Sequence, residues 1–192
     1  MFRPLLALLA AVLLALTTGH SPAWSEARKK DVAVGDFKIV NTGGFVEEDG
    51  LRRSLATDTS MGTVKLSRVP GTNDIRLEIG GSSIELFSMK KGLATFFWNP
   101  EDTNLLHGND ILNLAAKNSL EDVSAWAARI DWPDLGKVTL VLFNYDPGSY
   151  GGFLISNPPE KTVVRQMEFH QLHGPRHRAD NLFNYNRPEH RR

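Results

Sequence analysis

The densest group of side chains able to ligate a metal or carry a proton lies near the C-terminus: Glu168, His170, His173 and His177. Glu168 and His170 are two residues apart, which on a strand puts them on one face, and His173 follows within reach beyond the strand's end. Neutral imidazole and carboxylate ligate zinc, copper or nickel, and a chain without cysteine has no thiolate to offer instead. Glu168, His170 and His173 are therefore the candidate metal ligands. Their spacing matches no established metal motif, and a solvent-facing polar patch beside an arginine-rich tail accounts for the same residues. The sequence requires no cofactor; a divalent metal is the one this group would take. His107, beside Gly108, joins it only if the fold brings a distant loop across.

Other constellations carry less. Gly148-Ser149-Tyr150-Gly151 resembles a nucleophile turn in composition, but it lacks the G-x-S-x-G spacing and the helix that should follow the serine. A glycine-rich hairpin is the simpler reading. The adjacent acids Glu47-Glu48-Asp49 and Glu101-Asp102 read as solvated loops rather than as the opposed carboxylates of glycoside chemistry. No phosphate-binding glycine loop, dinucleotide fingerprint or calcium loop is present, and no residue is singled out as catalytic.

Two further groups point to binding. Phe96, Phe97, Trp98, Trp126 and Trp132 gather around one stretch of the chain. Phe96 and Trp126 read as core, whereas Trp98 and Trp132 flank loops at Pro100 and Pro133 and are the candidate ligand contacts. The second group is the tail. From Gly174 to Arg192 five arginines face two acids, and Leu182-Phe183-Asn184-Tyr185 sets an aromatic anchor among them. Arg176, Arg178, Phe183 and Tyr185 are the candidate partner contacts, suited to an acidic surface because guanidinium pairs bidentately with carboxylate or phosphate. A flexible, solvated tail is the competing reading.

The elements that must position these groups follow from pattern. The 192 residues carry 22 basic and 22 acidic side chains, which argues against a large nucleic-acid-binding face, and zero cysteine excludes disulfides and Cys nucleophiles. Arg3 and Pro4 precede an apolar run, Leu5–Leu16, too short to span a bilayer, and small residues follow at cleavage spacing near Ser25. Residues 1–25 thus read as a signal peptide, residues 26–173 as one β-rich domain and residues 174–192 as the tail. No transmembrane segment is expected after cleavage, and the expected address is a bacterial periplasm or the cell exterior. Cleavage removes one of the 22 basic groups and leaves 21 against 22.

Within the domain, period-two alternation marks strands at Asp36–Val40, at Thr63–Ser67, at Ile75–Ile79 and at Ser83–Phe87, with turns at 70–74 and at Gly80-Gly81. Leu93–Trp98 is expected to add a fourth strand to the last three. A change of period then predicts a helical insertion around residues 109–130. It comprises a short helix capped by Asn109 and a second one starting at Ser119, with Leu120, Val123, Ala127 and Ile130 on one stripe. Lys137–Tyr145 is nearly continuously apolar and reads as a central strand covered on both faces. Gly151–Ser156 and Thr162–Leu172 follow, the latter with Val163, Met167 and Phe169 on one face and Gln166, Glu168 and His170 on the other. The expected architecture is α+β and β-rich: an antiparallel sheet forming a sandwich or partial barrel with one helical insertion. The alternative is a closed barrel with the helix across one mouth. These readings predict an exported non-enzymatic domain that binds a small ligand or a protein partner, and not nucleic acid. The rival is a small periplasmic metal-dependent or hydrolytic enzyme built on the C-terminal Glu/His cluster.

Overall fold

The computed structural model of the chain describes residues 32–96, 105–132 and 135–172. Their strands are β1 (Gly35–Glu48), β2 (Leu51–Ser54), β3 (Thr63–Arg68), β4 (Ile75–Ile79), β5 (Ser82–Ser88), β6 (Ala125–Trp132), β7 (Gly136–Asp146), β8 (Ser149–Asn157) and β9 (Lys161–Gln171). One α-helix, α1 (Gly108–Ala115), lies between β5 and β6. The strands pair antiparallel, and β9 returns to β1, so β1 and β3–β9 close an eight-stranded barrel. β2 is a short hairpin arm that continues the β3 edge of β1 beyond an isolated bridge between Asn41 and Asp58.

The sandwich and the partial barrel give way to a closed barrel because β1 serves two neighbours at once. It pairs with β9 along most of its length and with β3 at its start, bending at a bulge between Asn41 and Gly43. Gly44 lies just past that bulge at φ 131°, where an added Cβ would sit 2.1 Å from the Val164 carbonyl oxygen. Only glycine lets β1 and β9 approach so closely there.

The register assigns the two faces of the wall. Phe37, Leu66, Leu77, Leu86, Leu142 and Phe169 are among the side chains that fill the interior, each with at most 2% exposure. One end is closed by an aromatic group in which the Tyr150 ring meets Phe37 at 5.6 Å and Trp126 at 6.0 Å, both edge-on. The polar tips of this group are satisfied as well: the Tyr150 hydroxyl donates to Ala33 O at 2.8 Å and Trp126 Nε1 to Asn73 O at 2.8 Å. Eight strands enclose a space that side chains can fill completely.

A second apolar layer lies outside the wall. Val141 and Phe143 of β7, Phe153 of β8, Val164 of β9 and Phe45 of β1 point outward and are buried by Leu93, Leu105, Leu106, Ile111 and Val123 of the insertion. Phe153 stacks on Phe143 at 5.8 Å and on Phe96 at 5.4 Å. β7 is therefore covered on both faces, as its apolar run predicts. The helix lies on the outer face of β7 rather than across a mouth.

Three local expectations change. Ala125–Trp132 is a strand, not the second half of a helix: Trp126, Ala128, Ile130 and Trp132 share the inner face, and β7 pairs with all of it. Ser119 does cap a helical start, accepting from the Glu121 N–H, but only a 3₁₀ turn over Leu120–Asp122 follows. α1 is capped by His107 rather than Asn109, in a reciprocal box with Asp110 whose Oδ2 accepts from His107 N–H at 2.9 Å. The fourth strand expected at Leu93–Trp98 is instead a 3₁₀ turn over Gly92–Thr95, with Leu93 fully buried in the outer layer. Residues 97 and 98 fall outside the described residues. The place beside β5 is taken by β6.

Candidate functional site

The outward row of β9 is Val164, Gln166, Glu168 and His170, the alternation that the sequence predicts. Its environment is not the predicted one. Gln166 and Glu168 are buried to 2% and 1% exposure on the face that elsewhere carries the insertion. Gln166 acts as a clamp between layers. Its Oε1 accepts from Leu106 N–H of the insertion at 2.6 Å, and its Nε2 donates to Thr42 Oγ1 of β1 at 3.0 Å.

Glu168 and His170 come together as their spacing predicts. Oε2 of Glu168 stands 2.8 Å from Nε2 of His170, an ion-pair distance. The contact lacks hydrogen-bond alignment, and both carboxylate oxygens and both imidazole nitrogens are buried atoms without an aligned partner among the described residues. Gly151 of β8 and Val40 of β1 lie opposite Glu168, and Ser149 and Lys38 lie opposite His170. Glycine at 151 puts no β8 side chain opposite Glu168, and the Phe143 ring occupies the space its Cβ would take.

Tyr145, at the end of β7, completes the group and was not legible as a site residue. Burial first, and the nearby Glu168 carboxylate second, push its phenol well above the ordinary tyrosine range, against an opposing hydrogen bond with Ser149. At neutral pH it is a neutral phenol beside a carboxylate. Ser149 is engaged by Tyr145 and is 6% exposed, so the cluster does not present a serine bonded to a histidine base, as a hydrolytic dyad would.

The other predicted residues separate. Trp132 is half-buried at the end of β6 and packs against the interior cluster. Trp126 is core, as read from the sequence, and Phe96 packs half-buried against the outer layer. His107 is engaged at the start of α1. Trp98, His173, Arg176, Arg178, Phe183 and Tyr185 lie outside the described residues. Among the described residues no three of His, Asp and Glu stand together as a metal site, so the expected third ligand is not supplied by them. Two shallow clefts lined by described residues, of about 320 and 390 Å³, border the β3–β5 strands and the β6–β7 strands, and neither includes a predicted site residue. No described helix is long and apolar enough to cross a membrane.

No protein-family model matches this chain, and neither a curated protein nor a solved structure does.

Proposed function

We propose that the mature chain is an exported, non-enzymatic binding domain that meets a protein partner with its outer surface. The observation that carries this reading is the filled interior. A hollow eight-stranded barrel can hold one small ligand within its wall, whereas here fully buried Tyr150, Phe37, Phe169 and Leu142 occupy that volume. The group with the most chemistry, Glu168 with His170 and Tyr145, is buried at its carboxylate and lies on the same strand face as Gln166, whose amide holds the insertion, which suits a structural role. Export rests on the N-terminal run Leu5–Leu16 and the small residues after it, with periplasm or cell exterior as the address. The basic tail is an auxiliary contact for an acidic partner through Arg176, Arg178, Phe183 and Tyr185.

Native mass spectrometry of the mature chain taken from its export compartment tests the reading. The expected spectrum shows an N-terminus near Glu26 and a co-purifying protein, lost when Arg176 and Arg178 are replaced by Glu. A small organic molecule retained at one per chain would overturn it.

A second reading, a metal-dependent or hydrolytic centre on Glu168 and His170, is favoured by the four unaligned polar atoms of that pair. It requires a third ligand, which His173 would supply. Zinc titration followed by thermal melting decides it: a stabilisation that His170→Ala abolishes supports a cation between the pair, and an unchanged melt removes it.

A further inference from the structure

β6 is bonded unequally on its two sides. Toward β7 its ladder runs from Ala125 to Trp132. Toward β5 it holds only at Phe87 with Ala127 and at Ser88 with Trp126, followed by one bond from Met89 N–H to the Ala125 carbonyl. Past that point the two strands part, and among the described residues Ala128–Trp132 has no strand neighbour on that side. The alternation of an antiparallel ladder identifies the groups left over. Ala125 and Ala127 bond toward β5, so Arg129 and Asp131 direct their N–H and C=O the same way, into the open part of the seam. Such an edge is a template for another strand.

We infer that a second copy of this chain pairs with it, β6 running antiparallel to its counterpart about a two-fold axis at Ile130. Charge along the edge selects this occupant. Arg129 and Asp131 are both exposed on the outer face, and neither forms an ion pair with a described residue. Pairing centred on Ile130 sets Arg129 against the partner's Asp131 and Asp131 against the partner's Arg129. Centring on Arg129 or on Asp131 instead brings like charges together, which penalises those registers. The backbone agrees with the charges. Because Arg129 and Asp131 are the seam-facing residues, the two oppositely charged pairs are also the hydrogen-bonded pairs, and each exchanges both of its N–H···O=C bonds. Ile130 meets its own copy on the inner face, where it is only half-buried in the single chain. Phe87, 60% exposed where the strands part, adds apolar surface beside the joint.

The test uses the full mature chain in sedimentation velocity across a wide micromolar range, with amide exchange as a second readout. A concentration-dependent dimer is expected, in which the Arg129 and Asp131 amides exchange more slowly than in the dilute protein. Arg129→Asp and Asp131→Arg each place like charges at both ends of the pairing and should weaken dimerisation at least about tenfold. The double variant, R129D with D131R, restores opposite charges and should recover the wild-type dimer. Circular dichroism and melting establish that each variant is folded, as substitutions at exposed positions allow. A wild-type monomer at every concentration, a dimer indifferent to either single variant, or a folded double variant that stays monomeric overturns the inference. Protection of Arg129 and Asp131 that appears only on adding a different protein also overturns it, in favour of a foreign strand on the same edge.

Discussion

Replacing His170 by alanine removes the one group that stands at ion-pair distance from Glu168 among the described residues. The two groups meet at 2.8 Å, and both carboxyl oxygens of Glu168 are buried atoms with no aligned hydrogen bond among the described residues. Removing one partner of a buried polar contact and leaving the other unsatisfied costs about 1–3 kcal/mol. The upper end applies here, because the Glu168 side chain left behind is only 2% exposed. A loss of about 3 kcal/mol in a domain of this size lowers the melting temperature by roughly 6–12 °C. The assay is a double-mutant cycle of His170→Leu, Glu168→Leu and both together, with H170A alongside, read by thermal and urea unfolding of the mature chain at neutral pH. The double leucine variant should return to within about 1 kcal/mol of wild type, since neither polar group is then left buried alone. A melting temperature for H170A within about 4 °C of wild type would refute the reasoning, because it would mean the carboxylate does not depend on His170. A double variant as unstable as the singles would assign the loss to packing instead.

Two other outcomes follow from the same layer. Unfolded tyrosine loses its proton near pH 10, whereas folded Tyr145 keeps its proton above that range, so the folded chain binds the extra proton and stability falls as pH climbs past about 10. Tyr145→Phe removes that part of the slope; its stability deficit, about 1 kcal/mol at neutral pH from the lost Ser149 bond, should shrink by about pH 11, and a constant gap in urea unfolding would contradict this. Gly151→Ala places a Cβ 2.3 Å from Cζ of the buried Phe143 ring and should destabilise by about 1–3 kcal/mol, with Phe143→Leu in the same chain recovering part of the loss; no recovery would locate the strain elsewhere.

The amino-acid order alone determined the elements whose signals are local. The β3–β5 hairpins, the apolar β7 and the turn at Asp146-Pro147-Gly148 all declare themselves within a few residues, because side-chain alternation and turn stereochemistry act at that range. The pairing of Glu168 with His170 was legible for the same reason, being a two-residue spacing on a strand. Ala125–Trp132 was ambiguous because two periods fit it. Leu120, Val123, Ala127 and Ile130 satisfy a helix, Trp126, Ala128, Ile130 and Trp132 satisfy a strand, and the neighbouring edge of β7 decided between them. Burial of Gln166 and Glu168 could not be read locally, since a polar row on a strand is ordinarily solvated; Leu106 of a distant insertion meets Gln166, and Tyr145 and His170 stand beside Glu168. Barrel closure belongs to the same class. It depends on β1 finding β9 at the other end of the domain, on the bulge at Asn41 that bends β1 to meet it, and on the absence of a Cβ at Gly44 where the two backbones touch. Local conformational preference acts over a few residues, whereas closure and burial are set by contacts between residues far apart in the chain, which exist only once the whole wall has formed.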